Sequence, residues 1–165
     1  MATAVTEGAA MRFLGVDYGT KRVGLAVAED PGLGAYPLTT LHRSRSLNHD
    51  LGEIVRLAKK EEIDAMVVGL PVNADGTEGP AARNATQFAR SLLKHTTLPV
   101  YLFDEFLTTA EAEEELLAAD VSRRKRREVI DRMAAVHLLE GFLRARRENK
   151  IAPPLERKPA PSPES

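Results

Sequence analysis

The amino-acid sequence predicts a three-layer α/β/α domain built on a five-stranded mixed sheet, with the element order β-β-β-α-β-α-β-α-α. Two short apolar runs near the N-terminus are separated by a turn and predict a β-hairpin. Two later apolar runs each follow a helical pattern, and such crossovers imply parallel strands. The length of 165 residues is enough for one domain with a substantial core.

The N-terminal half supplies three of the predicted strands. Residues 11–16 form an apolar run that reads as a buried strand, and residues 23–28 (VGLAVA) read as its hairpin partner. A third strand is predicted over 38–42. Leu47, Leu51 and Ile54 then recur at helical spacing, which predicts a helix to about residue 62.

The C-terminal half predicts two more strands and three helices. Residues 65–69 (AMVVG) lack polar alternation, as expected of a strand covered on both faces. A loop over 70–80 precedes a helix over 81–95, and a strand follows at 100–103. Helices are predicted from Thr108 or Thr109 to about 119, and from a Ser122 cap to about 147.

Both ends of the chain are expected to be tails. Residues 1–10 are small and polar without a period. Residues 150–165 are rich in proline, which excludes a helix or a central strand and predicts an extended, mobile segment. The folded domain is therefore predicted to span residues 11–149.

Composition excludes several classes of function. The chain has no cysteine, which rules out disulfides, thiolate catalysis and cysteine-ligated zinc. It has no tryptophan and only 5% aromatic residues, so a platform of stacked aromatics for single strands is not expected. No apolar run approaches the ~20 residues of a membrane span, and the N-terminus does not resemble a secretory signal. A cytoplasmic protein without membrane partners is expected.

The net charge of −1 conceals local patches of opposite sign. Residues 104–120 carry seven acids and no base, whereas Arg123–Arg127 are five consecutive bases. The total charge therefore does not decide whether the chain binds nucleic acid.

Three acids are candidate metal ligands. Asp17 ends the first predicted strand, Glu105 ends the last, and Asp131 lies in an otherwise apolar stretch of the final helix. The carboxyl ends of parallel strands open on one crevice, where such acids could converge and hold a hard divalent ion such as Mg²⁺. The alternatives are a turn residue or helix cap at either strand end, and an intrahelical ion pair for Asp131.

Two basic segments are candidate phosphate contacts. Thr20, Lys21 and Arg22 form a glycine-flanked turn after the first strand, although a plain hairpin turn explains them equally. Arg124 and Arg127 precede Asp131 by seven and four positions, so the three share a helix face. They could clamp phosphates or form a solvated charge run. Neither a Walker A pattern nor a dinucleotide fingerprint is present.

Four segments in order resemble the YqgF/RuvX family, relatives of RuvC with an RNase H-like fold. They are FLGVDYGTKRVGLAV, VVGLPVNADGTEGPAA, FDEFLTT and IDRMAAVHLL. The resemblance implies a nuclease that resolves Holliday junctions or processes the 5′ end of precursor 16S ribosomal RNA. It places the family's metal-binding triad on Asp17, Glu105 and Asp131, and its loop signature, near the substrate, on residues 69–79.

From this resemblance we expect hydrolysis assisted by two Mg²⁺ or Mn²⁺ ions, with branched DNA or the precursor rRNA and its ribosome as partner. A homodimer would suit symmetric cutting of a four-way junction. Phe106 departs from the arginine that many family members carry there, which bears on substrate preference. The residues expected to contact nucleic acid are Thr20, Lys21, Arg22, Arg123, Arg124, Lys125 and Arg127.

Two other functions fit parts of the sequence. A non-catalytic nucleic-acid or ribosome-associated module could keep the same fold, although a pure binder gains nothing from converging carboxylates near phosphate. An actin-like kinase or ATPase also has an Asp-x-Gly-Thr turn after a strand. That class places ATP between two domains, and this chain supplies one.

Overall fold

The computed structural model describes residues 9–73, 75–105 and 122–157, and of Glu105, Arg123 and Arg124 it describes the backbone. Residues 1–8 of the tail predicted at 1–10, and the helix predicted from Thr108 or Thr109, lie outside these residues. Among the described helices, none combines the length and apolar composition that a bilayer span requires.

Five strands form one mixed sheet, as the sequence predicts. Its order is β3-β2-β1-β4-β5. The pairs β1–β2 and β2–β3 are antiparallel, and the pairs β1–β4 and β4–β5 are parallel. The strands are β1 (Met11–Tyr18), β2 (Arg22–Asp30), β3 (Gly34–His42), β4 (Ala65–Pro71) and β5 (Val100–Glu105).

Helices cover both faces of this sheet, which confirms the three-layer prediction. One face packs on α1 (Leu47–Lys60) and α2 (Pro80–His95), and the other packs on α3 (Arg123–Arg147). The two apolar cores follow strand alternation, because Leu14 and Val16 face α1 and α2 while Phe13 faces α3. Ser122 caps α3 as predicted, and its side chain accepts a hydrogen bond from the backbone N–H of Lys125.

The third strand is longer than predicted. The sequence places it at 38–42, but β3 begins at Gly34 and runs through Pro37. Proline is tolerated here because β3 is an edge strand, whose outer N–H groups need no partner. A register shift opposite Leu25 and Ala26 leaves one extra residue in β3, which forms a bulge next to the proline.

Helix α3 lies unusually close to the sheet because two glycines face it. A Cβ atom added to Gly15 would lie 2.6 Å from Cγ of Leu139. A Cβ atom added to Gly24 would overlap the carbonyl group of Asp131. The helix backbone therefore rests directly on the backbone of β2 at Gly24, and this contact fixes where Asp131 lies.

The segment after α3 lies against the domain. Over residues 151–157 it forms no helix or strand, as its prolines predict. Even so, Leu155 packs against the core, and its N–H donates to Val100 O at 2.8 Å. Arg157 donates through Nη1 to Leu93 O (2.6 Å) and through Nη2 to Leu98 O (2.9 Å). Residues 151–157 thus cover the edge of β5, which differs from the detached tail expected from composition.

Replacing Gly24 by alanine tests the close contact between α3 and β2. We expect Gly24→Ala to lower the free energy of unfolding by about 3 kcal/mol, because the added methyl group meets backbone that cannot rotate away. Urea unfolding followed by circular dichroism measures this change. The control is Gly52→Ala in α1, where the added Cβ meets nothing within 4 Å and helix propensity improves. Equal stability of both variants would contradict the proposed contact.

Replacing Arg157 by alanine tests the anchoring of the C-terminal segment. We expect Arg157→Ala to lower the free energy of unfolding by about 1–2 kcal/mol, since two backbone carbonyls lose a charged donor. Glu156→Ala, in the same segment, should leave stability unchanged because Glu156 is exposed. Thermal unfolding of both variants in parallel checks the difference, and an unchanged Arg157→Ala protein would show that the anchor adds no stability.

Candidate functional site

Asp17 lies at the end of β1, on the face of the sheet that carries α3. It follows Phe13 and Gly15 at intervals of two residues, so all three lie on the same face of the strand, and the other two contact that helix. Asp17 is half-buried. In the sheet it is paired with Gly24 of β2. Asp17 therefore sits beside the point at which α3 touches the sheet.

Asp131 reaches the same face from α3. Its backbone lies on Gly24, the strand partner of Asp17. Its carboxylate Oδ2 accepts a hydrogen bond from Nε of Arg22 at 2.5 Å, and the two side chains are only 20% and 24% exposed. The sequence left open an intrahelical ion pair, but the partner found among the described residues lies on β2.

Two further contacts fix the first turns of α3 against β3. Thr40 Oγ1 donates to the carbonyl oxygen of Glu128 at 2.7 Å, and His42 Nε2 lies 3.2 Å from Oε1 of the same residue. Thr40 is the strand partner of Gly24, so Asp17, Gly24 and Thr40 form one row across three strands. The helix segment from Glu128 to Asp131 is thereby held over this row.

Glu105 occupies the last position of β5, opposite Pro71 of β4. Its position has the same parity as Tyr101 and Phe103, which pack into the core beneath α3. It lies two strands and about two residues away from Asp17, which corresponds to a backbone separation of about 12 Å. Its side chain lies outside the described residues.

The donor set fits a hard divalent cation. Asp17 and Asp131 offer carboxylate oxygens, the ligands that Mg²⁺ and Mn²⁺ prefer. Asp131 already binds a cationic side chain, which shows that this position favours a positive partner. Among the side chains that the structure describes, no three His, Cys, Asp or Glu residues gather in a metal-binding cluster.

The turn between β1 and β2 is short and closed. The N–H of Gly19 donates to Arg22 O at 2.9 Å, and a Cβ atom on Gly19 would lie 2.7 Å from that oxygen. Thr20 and Lys21 are exposed at its tip, where contact with nucleic acid remains a prediction. Arg22, also predicted to contact nucleic acid, is half-buried against Asp131 instead of pointing freely into solvent.

The basic run opens α3. Lys125 and Arg127 are exposed within its first turns, and only the backbone of Arg123 and Arg124 is described. No acid lies in the first turn of this helix, although acids are favoured at that end by the helix dipole. Lys125 and Arg127 thus place positive charge near a helix end that itself favours anions, within two turns of Asp131.

The loop after β4, predicted to lie near the substrate, is ordered by its own side chains. Asn73 Nδ2 donates to Thr77 Oγ1 at 2.9 Å, and Thr77 donates to Asp75 Oδ1 through its hydroxyl (2.6 Å) and its N–H (3.0 Å). The hydrogen bond from the Thr77 hydroxyl, and to a lesser extent the one from its N–H, hold the pKa of Asp75 below its ordinary value. The carboxylate of Asp75 is thus occupied within the loop.

Sequence reasoning missed two residues near this site. The sequence marks Gly24 only as one of the two glycines that flank the turn at residues 20–22, and nothing local shows that a helix from the far end of the chain rests on it. Arg43 lies in a polar segment after β3, yet its Nη1 donates to the carbonyl oxygens of Gly19 (3.1 Å) and Thr20 (2.9 Å). Its guanidinium therefore fixes the outer side of the turn.

Comparison with known proteins places the chain in a family. The sequence pattern of the RuvX family, described as Holliday junction resolvase, matches residues 11–145. A Moorella thermoacetica protein named "Putative pre-16S rRNA nuclease" is 46% identical over 133 residues, which cover 81% of this chain and 94% of that protein. A Myxococcus xanthus protein of the same name is 46% identical over 137 residues, covering 83% and 90%.

A solved structure supports the fold. RuvC from T. thermophilus, in complex with a Holliday junction substrate, superposes with a TM-score of 0.51 at 16% identity, covering 88% of this chain and 99% of RuvC. The shared architecture is the RNase H-like fold, as the sequence resemblance implied. With the family pattern matched over nearly the whole folded domain and close relatives of similar length, this chain belongs to the RuvX Holliday junction resolvase family.

Proposed function

We propose that this protein is a metal-dependent endonuclease that hydrolyses phosphodiester bonds in structured nucleic acid. The substrates best supported are a Holliday junction, from the family description, and precursor 16S rRNA, from the names of relatives. One observation carries the proposal. Asp17 and Asp131, far apart in sequence, lie on one face of the sheet beside a shared contact of β2 with α3.

The metal site would be formed by Asp17, Asp131 and Glu105. These carboxylates would hold Mg²⁺ or Mn²⁺, with Asp17 between the ligands contributed by β5 and α3. A bound pair of such ions supplies a nucleophilic hydroxide from water and neutralises the charge that develops on the entering and leaving oxygens. Rigid placement of the acids on a strand and a packed helix is what this chemistry needs.

The protein's own cations would orient the substrate. Lys21 lies at the exposed tip of the β1–β2 turn, and Lys125 and Arg127 are exposed at the start of α3. The turn directly follows the strand that carries Asp17, and the start of α3 precedes Asp131 on the same helix. Charged donors there would bind the phosphates on either side of the scissile bond, which positions the backbone without reading sequence.

A second candidate is a nucleic-acid-binding module without catalysis. The observation that favours it is the Arg22–Asp131 ion pair, which already occupies one of the acids required for metal binding. In this alternative, the acidic residues form structural ion pairs with neighbouring basic side chains, as Asp131 does with Arg22. Metal binding distinguishes the two functions.

Cytoplasmic location and a homodimeric state remain predictions. Both are argued from composition and from the task of cutting a four-way junction symmetrically, and they do not affect the site.

Replacing Asp17 by asparagine tests the catalytic assignment. We expect Asp17→Asn to abolish cleavage of a synthetic four-way junction and of a precursor 16S rRNA fragment in Mg²⁺ or Mn²⁺. Binding of either nucleic acid should change little, because the amide keeps the shape of the side chain. Gel-based cleavage and fluorescence anisotropy measure the two properties. Full cleavage by this variant would show that Asp17 is not a catalytic ligand.

Replacing Arg22 by glutamine tests whether the ion pair competes with a metal. We expect Arg22→Gln to bind Mn²⁺ about tenfold more tightly in isothermal titration calorimetry, since a charge-assisted hydrogen bond to Asp131 no longer has to be broken. Arg56→Gln, which removes an arginine from an ion pair on α1, is the control and should leave Mn²⁺ affinity unchanged. The absence of Mn²⁺ binding in native and variant proteins alike would favour the binding module.

A further inference from the structure

A groove lies on the face of the sheet opposite α3, next to the same β1–β2 turn. It has a volume of about 650 Å³ and runs between that turn, the start of α1 and the outer side of α2. We name it the Arg43 groove. Its polar lining is formed by Tyr18, Thr20, Arg43, Asn84, Gln87 and Ser91.

The cation of this groove is held in place by neutral groups. The guanidinium of Arg43 lies 4.6 Å from the ring centroid of Tyr18, which is itself stacked on Phe88 at 4.0 Å. Nη1 of Arg43 donates to two backbone carbonyls of the turn. Its charge is therefore fixed in position, and among the described residues no acid forms an ion pair with it.

The chemistry of the groove suits a polyanion with exposed bases. Within the described part of the chain, its lining contains no aspartate or glutamate. Asn84 and Gln87 are exposed one turn apart on α2, and their amides can both donate to and accept from base edges. A guanidinium plane backed by an aromatic ring is a surface on which an unstacked base can lie.

The groove is connected to the candidate active site through one turn. Tyr18 contributes to the groove, whereas its neighbour Asp17 faces α3, because successive strand residues point to opposite faces. A strand of nucleic acid that passes over Thr20 and Lys21 would therefore run from the acids into the groove. A single strand suits this groove better than a duplex, because its unpaired bases can reach the amides of α2 and the guanidinium of Arg43.

We propose that the Arg43 groove binds a single-stranded segment of the substrate that flanks the cleaved bond. This inference rests on the proposed nuclease function and deepens it, because it assigns the enzyme a substrate with an unpaired flank. Phosphates would contact Arg43, and bases would contact the amides of α2.

Charge reversal on α2 tests the groove. The double variant Asn84→Glu with Gln87→Glu places two acids in it, and both positions are exposed, so folding should persist. The control is Arg90→Glu, which lies on the exposed side of the same helix outside the groove lining and also changes the formal charge by −2. Both are made in an Asp17→Asn background of the full chain, so that the nucleic acid is not cut.

The measurement is fluorescence anisotropy with three labelled probes of equal length: single-stranded RNA, single-stranded DNA and a blunt duplex. We expect the groove variant to bind single strands at least tenfold more weakly and the duplex within threefold, and the control to bind all probes within threefold. Weaker binding of single-stranded RNA alone would assign the contacts to the 2′-hydroxyl. Weaker binding of both single-stranded RNA and single-stranded DNA would assign them to the phosphates and bases. Equal losses in groove variant and control, or no loss, would overturn the proposal.

Cleavage separates this proposal from the proposed function. With Asp17 intact, the groove variant should cut a fully paired junction at the native rate and a substrate with a single-stranded flank more slowly. If native protein cuts neither substrate but the groove variant still loses single-strand binding, the nuclease proposal fails, and the groove is left as a single-strand binding site without a role in cleavage. If native protein cuts and the groove variant cuts both substrates equally well, the groove proposal fails and the nuclease stands.

Discussion

The close backbone contact of α3 with β2 at Gly24 is the constraint on which the site depends. Any larger residue at this position would push the helix away from the sheet, further for a larger side chain, and Asp131 would move with it. The row formed by Asp17, Gly24 and Thr40 across three strands brings the acid of β1 next to the helix contact. One member is the acid, one is the helix contact, and one binds the carbonyl oxygen of Glu128.

Electrostatics explains why Asp131 is paired with an arginine of the neighbouring strand. Carboxylates brought together on a half-buried face repel one another and lose hydration, so each favours a positive neighbour. Arg22 provides that charge for Asp131 from the adjacent end of β2. Because the pair remains partly exposed, the cost of removing it from water is modest, and a divalent ion bound as proposed would replace the guanidinium. On the proposed function, the same ion pair would stabilise the protein and also limit how tightly a metal binds.

The sequence predicts the layers and strands well because these depend on local periodicity. The apolar run AMVVG predicts a strand covered on both faces, and β4 is one. Contacts between elements distant in sequence leave no such pattern. Neither the partner of Arg22, the helix that rests on Gly24, nor the anchoring of Arg157 follows from a period of two or of 3.6. These features require the fold before they can be seen.

The two faces of β1 meet at one rigid turn, and this joins the acids to the Arg43 groove. The turn is closed on its inner side by the Gly19–Arg22 hydrogen bond and fixed on its outer side by Arg43. Arg22 continues from the turn to Asp131, so one four-residue segment contacts the helix on one face and borders the groove on the other. A single strand bound over this segment would be bent around the end of the sheet. Such a bend separates neighbouring bases and exposes the phosphate between them to the acids, which a straight duplex would not do.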